Sequence, residues 1–110
     1  MKTDHGEEIS KSIVKGFLLG FIKIHILHHA KQEPIYGKEF HEELRRHGYD
    51  MSFGTLYPIF HKLEKKGFLL SRKRVVKGKM RKYYQITNRG ELALEETKVK
   101  ARELIKEIDI

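Results

Sequence analysis

The sequence predicts a mainly α chain with one small β-hairpin, ordered helix, helix, helix, hairpin, helix. Three observations predict it. Apolar residues recur near the helical period from Ile9 to Ala30. Two shorter helical stretches end at glycines, Gly48 and Gly67. Two β-forming, cation-rich runs flank a glycine-containing turn, and a Glu-, Leu- and Lys-rich helix follows them. A chain of 110 residues has room for one domain and its core.

In the first helix Ile9, Ile13, Phe17, Leu18, Phe21, Ile24 and Leu27 form the main apolar stripe, and Leu19, Ile22 and Ile26 add apolar residues on other faces. A helix apolar on most sides is buried against more than one neighbour, and in so small a protein that neighbour can be a second subunit. Glu33 precedes Pro34 and is biased away from helix, so a turn precedes a very short strand at Ile35 and Tyr36. Gly37 to Arg46 is the second helix, with Phe40 and Leu44 inward. Ser52 is a fitting N-cap for a third, from Phe53 to about Lys66, which buries Leu56, Ile59, Phe60 and Leu63. Pro58 falls inside it, which is tolerable in or near the first turn.

Phe68–Val76 and Lys82–Thr87 read as strands, joined by the loop Lys77-Gly78-Lys79-Met80-Arg81. The last helix runs from Asn88 to Ile108, capped by Thr87 or Asn88. Its residues Leu94, Thr97, Ala101, Leu104 and Ile108 are spaced three, four, three, four, a short heptad seam suited to helix pairing.

Composition narrows the function. The absence of cysteine excludes disulfides and thiolate metal sites and fits a cytoplasmic location. The polar start, Met1 to Ser10, does not read as a signal peptide. The apolar stretch Ile13–Leu27 is broken by Lys15, Lys23 and His25 and reads as a buried helix too short to cross a bilayer comfortably. Net charge is +8, and its placement is telling: His61 to Lys82 holds ten Lys/Arg against one acid, Glu64, while the rest is nearly balanced. Cations concentrated in this way are the footprint of a polyanionic partner.

The element order is that of a winged helix-turn-helix plus a C-terminal dimerisation helix. In that plan the third helix enters the major groove and the hairpin lies along the DNA backbone. The outward face of the third helix offers Thr55, Tyr57, His61 and Lys62 for base edges. Lys73, Arg74, Lys77, Lys79 and Arg81 on the hairpin suit phosphates, as do Ser52 and Gly54 at the helix start and Lys38 near the start of the second helix. Residues 1–88 would form the DNA-binding domain and residues 89–110 the dimerisation helix, as one structural unit. Phe17, Phe21, Leu94, Ala101, Leu104 and Ile108 are the expected dimer contacts.

The run Ser52-Phe53-Gly54-Thr55-Leu56-Tyr57-Pro58-Ile59-Phe60-His61-Lys62-Leu63-Glu64-Lys65-Lys66-Gly67-Phe68-Leu69 resembles the signature of the PadR family of transcriptional regulators. Arg81-Lys82-Tyr83-Tyr84-Gln85-Ile86-Thr87-Asn88-Arg89-Gly90 is similar to that family's second block, and Tyr36-Gly37-Lys38-Glu39-Phe40 to its second-helix motif. The likeness covers roughly residues 10–108. It implies a dimeric winged-helix protein, usually a repressor, of the compact branch with a single C-terminal helix. Two residues depart from the pattern: Phe53 stands where proline is usual, and Lys38 where an aromatic is common. The resemblance further implies that some members hold flat aromatic effectors between subunits. Phe17, Phe21 and Ile24 would suit such a pocket, and equally suit plain dimer packing, which is the reading adopted.

Enzymatic readings fare poorly. There is no cysteine nucleophile, phosphate-binding glycine loop or paired-carboxylate motif. His25 and His29 are four apart, beside His28, but no Glu follows His25 as a metalloprotease motif requires. No metal site and no cofactor are expected. The expected function is a sequence-specific regulator, a repressor binding double-stranded DNA at an inverted repeat as a homodimer, with no membrane partner. The competing reading is a winged helix that binds protein or RNA, since fold alone does not fix function.

Overall fold

The computed structural model describes the backbone of residues 2–109 and the side chains of residues 9–109. In chain order the elements are α1 (Lys2–Gln32), β1 (Ile35–Tyr36), α2 (Gly37–Arg46), α3 (Phe53–Lys65), β2 (Leu69–Val76), β3 (Lys79–Ile86) and α4 (Asn88–Ile108). The strands form one antiparallel sheet in the order β1-β3-β2. The fold is mainly α with a small β element, as the periodicities predict.

Every element except β1 sends at least one side chain into the buried core. Phe40 and Leu44 come from α2, Leu56, Phe60 and Leu63 from α3, Leu69 from β2, Tyr84 from β3 and Leu94 from α4. The α1 contribution differs from the expected stripe. Ile22, Ile26, Leu27 and Ala30 are buried, whereas Ile9, Ile13 and Phe17 are exposed, Ile13 by 70%. Among the described residues burial in α1 begins only at Ile22, while Ser10, Val14 and Leu18 border an open cavity beside Asp50–Thr55 without being buried by it. Leu94 is likewise corrected. It is 1% exposed and belongs to this chain's own core, not to a surface seam.

The helix is also longer in membrane terms than its sequence suggests. Ile9–Gln32, 24 residues of mean hydropathy 1.3 at its most apolar window, is long and apolar enough to cross a bilayer. Its commitment of Ile22 and Ile26 to the core is what argues against that use.

The hairpin differs from expectation as well. Val76 pairs with Lys79, so the turn is only Lys77-Gly78. Both residues have positive φ, 51° and 77°, the backbone of a type I′ turn, whose twist matches that of the flanking strands. Lys79, Met80 and Arg81 therefore lie on β3 and not in a loop.

The start of α4 is pinned against the end of α3. Gly67 ends α3 in the left-handed region at φ 86°. The Thr87 hydroxyl donates to the Gly67 carbonyl at 2.6 Å and accepts from the Gly90 N–H at 3.0 Å, which caps α4. Gly90 is buried so tightly that a Cβ there would overlap the Phe68 carbonyl oxygen and come within 2.6 Å of Ile86 Cγ1. Backbone on one side and a packed side chain on the other cannot both yield. Gly90→Ala is expected to destabilise the fold by about 1–3 kcal/mol or more. Chemical denaturation measures this, and unchanged stability would mean that α4 does not start against Phe68 and Ile86.

Candidate nucleic-acid interface

The site is built on α3 and the hairpin. Ser52 caps α3 as expected: its hydroxyl accepts from the Thr55 N–H at 3.2 Å and lies 2.9 Å from the Thr55 hydroxyl. Both hydroxyls are thus engaged with one another at the helix start, although both residues remain exposed. Pro58 sits in the second turn, not the first. The bond it removes is the one to the Gly54 carbonyl, and Gly54 is exposed, so water can take that acceptor.

The inner face of α3 is fixed by Leu56, Phe60 and Leu63. Tyr57, His61 and Lys62 consequently point outward and are exposed. The Tyr57 and His61 rings are stacked, 6.4 Å apart and 12° from parallel, and Phe53 lies 6.0 Å from Tyr57. An aromatic row at positions i, i+4 and i+8 therefore runs along the outer side of α3. The sequence marks Phe53 only as a departure from the family pattern and not as part of the site, although its spacing from Tyr57 and His61 is visible there. Its other neighbour is His41, 6.0 Å away, whose Nε2 lies 2.7 Å from the Met51 carbonyl and ties α2 to the approach to α3. Lys38 is exposed on α2.

The register of the hairpin sorts its cations onto two faces. Lys73 pairs with Lys82 on the face that also carries Leu69 and Tyr84 and so leads into the core. Arg74 pairs with Arg81 on the opposite face, in line with Arg72 and Tyr83. Lys77 is at the turn, and Lys79 begins β3. The hairpin is bound to α3 through Glu64. That carboxylate accepts from the Ser71 backbone N–H at 3.1 Å and from the Ser71 hydroxyl, and it pairs with Lys82 at 3.4 Å. Partial burial by itself would raise the Glu64 pKa, but the two Ser71 hydrogen bonds and the Lys82 charge outweigh it and hold the carboxyl below its ordinary 4.5. Lone among the basic residues of its stretch, Glu64 is a clamp between α3 and the sheet.

The histidines of α1 are packed among aromatic rings. His25 lies 4.6 Å from Phe21, 5.7 Å from His29 and 6.3 Å from Tyr49. Burial, with the nearby His29, His28 and His47 adding to it, lowers the His25 pKa against a small opposing effect of Glu43. Among the described residues no group of three or more His, Cys, Asp or Glu side chains is arranged to hold a metal ion.

α1 and α4, with Leu63 of α3, form an apolar groove of about 620 Å³, lined also by Gly16, Phe17, Gly20, Phe21, Ala101 and Leu104 among others. Leu104 and Ile108 are exposed, as are Val99 and Ile105, which the heptad spacing did not include.

A helix with a locked inner face and a polar, aromatic outer face, beside a cationic hairpin, defines a winged helix-turn-helix of the nucleic-acid-binding kind. The family model described as "Transcriptional regulator PadR-like family" matches residues 26–96, and the chain belongs to that family. It is similar to "Transcriptional regulator Rv3488" of Mycobacterium tuberculosis, 42% identical over 95 residues that cover 86% of this chain and 89% of that one. A PadR family transcriptional regulator from Eggerthella lenta superposes with a TM-score of 0.80 at 30% identity, over 94% of this chain and 91% of that one. A PadR-like transcriptional regulator from Bacillus cereus gives 0.77 at 30% identity, over 86% and 93%. The chain is a transcriptional regulator with DNA as its partner, and not an enzyme.

The lowered Glu64 pKa has a signed consequence. Its contribution to stability is fully present above the unfolded value near 4.5 and is lost as pH falls through the lower folded value. Glu64→Ala should cost roughly 1.5–3 kcal/mol at neutral pH, from charge-assisted hydrogen bonds. The gap between wild type and variant should narrow in acid below that range. A gap that is constant with pH would show that the carboxylate charge is not what holds the clamp.

Proposed function

We propose that this regulator is a sequence-specific repressor that binds an inverted-repeat operator in double-stranded DNA as a homodimer. The observation that carries this reading is the pairing of the exposed face of α3 with the adjoining cationic hairpin, in a chain whose basic excess lies in that stretch. Thr55, Tyr57, His61 and Lys62 are assigned to base edges. Lys38, Gly54, Lys73, Arg74, Lys77, Lys79 and Arg81 are assigned to the backbone, with Ser52 contributing first as the cap. Residues 1–88 act as the DNA-binding part and residues 89–110 as the dimerisation helix. Repression is what the family likeness supports, and a cytoplasmic location follows the same reasoning.

The dimer is supported by the uncovered apolar side of α1 and α4. Phe17, Phe21, Ala101, Leu104 and Ile108, joined by Ile105, are assigned to the interface, and Leu94 is withdrawn from it. Burying Leu104 and Ile108 would contribute about 1.5–3 kcal/mol each. A groove of this size would also suit a flat aromatic effector between subunits, but packing of a partner helix is preferred, because it alone covers the whole apolar side.

Two experiments test the reading. Selection of bound duplexes from a random pool should return an inverted repeat with half-sites about 34 Å apart, one turn of B-DNA. On that duplex Tyr57→Ala should cost about 1–3 kcal/mol, and much less on arbitrary DNA. Lys77, Lys79 and Arg81 changed together to Ala should weaken every duplex alike and flatten the salt dependence by up to about 3 log units per log unit of salt per subunit. Selection that returns no preferred duplex sinks sequence-specific recognition.

The second is sedimentation of the double variant Leu104→Glu with Ile108→Glu. Unpartnered carboxylates in an apolar interface are costly. The variant should be monomeric and should lose tight operator binding with α3 untouched. A dimer of full affinity would reassign α4.

A further inference from the structure

Tyr36, which β1 delivers to the edge of the sheet, has no part in the core and no capping hydrogen bond at the start of α2. Its place in the register is informative. Tyr36 pairs with Tyr83 on β3, and two residues along the same face Arg81 pairs with Arg74 on β2. Like charges directly opposite one another on a sheet repel. Each guanidinium leans instead over a ring: Arg81 Cζ is 4.7 Å from the centre of Tyr36, and Arg74 Cζ is 4.4 Å from the centre of Tyr83. The two rings lie 5.7 Å apart. The result is a continuous row, Arg81, Tyr36, Tyr83, Arg74, across the outward face of the sheet.

We propose that Tyr36 is a positioning residue for DNA binding, which through this row holds Arg81 and Arg74 ready for phosphates. This rests on the reading of the hairpin as a backbone contact. A guanidinium stacked by its face keeps its in-plane N–H donors free, so the ring and a phosphate do not compete for the same side of the group. Long cationic side chains lose substantial rotamer freedom when a phosphate fixes them, and stacking removes part of that loss beforehand. Tyr36 is also the residue immediately before α2. The ring that orders the hairpin cations therefore sits on the chain segment that leads into the helix-turn-helix, which couples the two DNA-contacting parts.

The test uses a fluorescent duplex of arbitrary sequence, titrated with the full chain at several salt concentrations. Tyr36→Leu should bind about two- to fivefold more weakly per site, the range of an exposed cation–π contact. The salt slope should stay unchanged, because the arginines still reach phosphate once bound. Tyr36→Phe should bind like wild type, since the ring and not the hydroxyl carries the stack. The pair Arg74→Ala with Arg81→Ala should flatten the salt slope by up to about 2 per subunit, and adding Tyr36→Leu to it should weaken binding no further. A silent Tyr36→Leu, or a loss that persists without the arginines, overturns the role of Tyr36 alone. An arginine pair with no effect on the slope removes the backbone contact itself, and this assignment with it. Proton NMR of the unaltered protein gives a measurement independent of any variant's folding: the Arg81 and Arg74 side-chain protons should be shifted upfield by the rings, and ordinary shifts would overturn the proposal.

Discussion

The burial of Phe60 is the constraint on which the functional surface depends. Its ring is 1% exposed, 5.8 Å from Phe40 of α2 and 4.8 Å from Tyr84 of β3. One side chain of α3 thus meets both the helix before it and the sheet after it. Leu56 and Leu63, one turn to either side, complete the stripe. With that stripe locked, the rotation of α3 about its axis has no freedom, and the outward direction of Tyr57, His61 and Lys62 is a packing result before it is a functional one. A helix that reads base edges needs this, since a rotation of one residue would exchange donors for apolar carbons.

The sheet is held by different chemistry on each side. On its inner side Glu64 fastens Ser71 and Lys82 to α3, the single acid of the basic stretch acting where two strands and a helix meet. On its outer side there are no acids in the row, and Arg74 and Arg81 are kept apart by tyrosine rings. The difference is physical. An ion pair would neutralise the outer cations, which are assigned to phosphates, whereas a ring orders a guanidinium without cancelling its charge. Among the described residues no ion pair engages Arg74 or Arg81, so their charge is not neutralised on that face.

Much of this was legible in the sequence, and the misses have common causes. The bounds of α2 and α4, the two-residue strand and the Ser52 cap follow from local chemistry: glycine and proline punctuation, helical periodicity and a hydroxyl before an apolar run. The sequence spreads the hairpin turn over five residues because Lys77 at positive φ is a residue type that rarely marks a type I′ turn; its neighbour Gly78 alone carries the signal. The buried stripe of α1 differs from the expected one because periodicity reports which residues share a face and not which face meets the domain. Ile22 and Ile26 are in the core, and Ile13 and Phe17 are outside it, although all four are equally apolar. Leu94 departs from the expected seam for the same reason, since a heptad spacing does not say whether its first member packs inward. The pairing of Tyr36 with Tyr83 was beyond reach of sequence, because strand register joins residues far apart in the chain.

The exposed apolar residues of α1 and α4 are costly in water. Ile9, Ile13, Val14 and Phe17 on α1 and Leu104, Ile105 and Ile108 on α4 are all about half exposed or more. A chain alone in water seldom leaves so much apolar surface uncovered. A bilayer would cover α1 by length and hydropathy. Lys15 and Lys23 would then enter the hydrocarbon at about 2.5–3.5 kcal/mol each near its centre. Ile22, Ile26 and Leu27 would also have to leave the core, each forfeiting about 1.5–3 kcal/mol of burial. A second copy of the chain demands neither. It can cover the apolar side of α1 while the lysines stay in water at the rim, and it leaves the core intact. The small residues Gly16 and Gly20, where a Cβ would meet nothing within 4 Å, leave room there for an incoming helix. The surface that looks most like a membrane segment is thus better matched to a partner subunit, and two copies joined in this way would supply the two α3 helices that an inverted repeat requires.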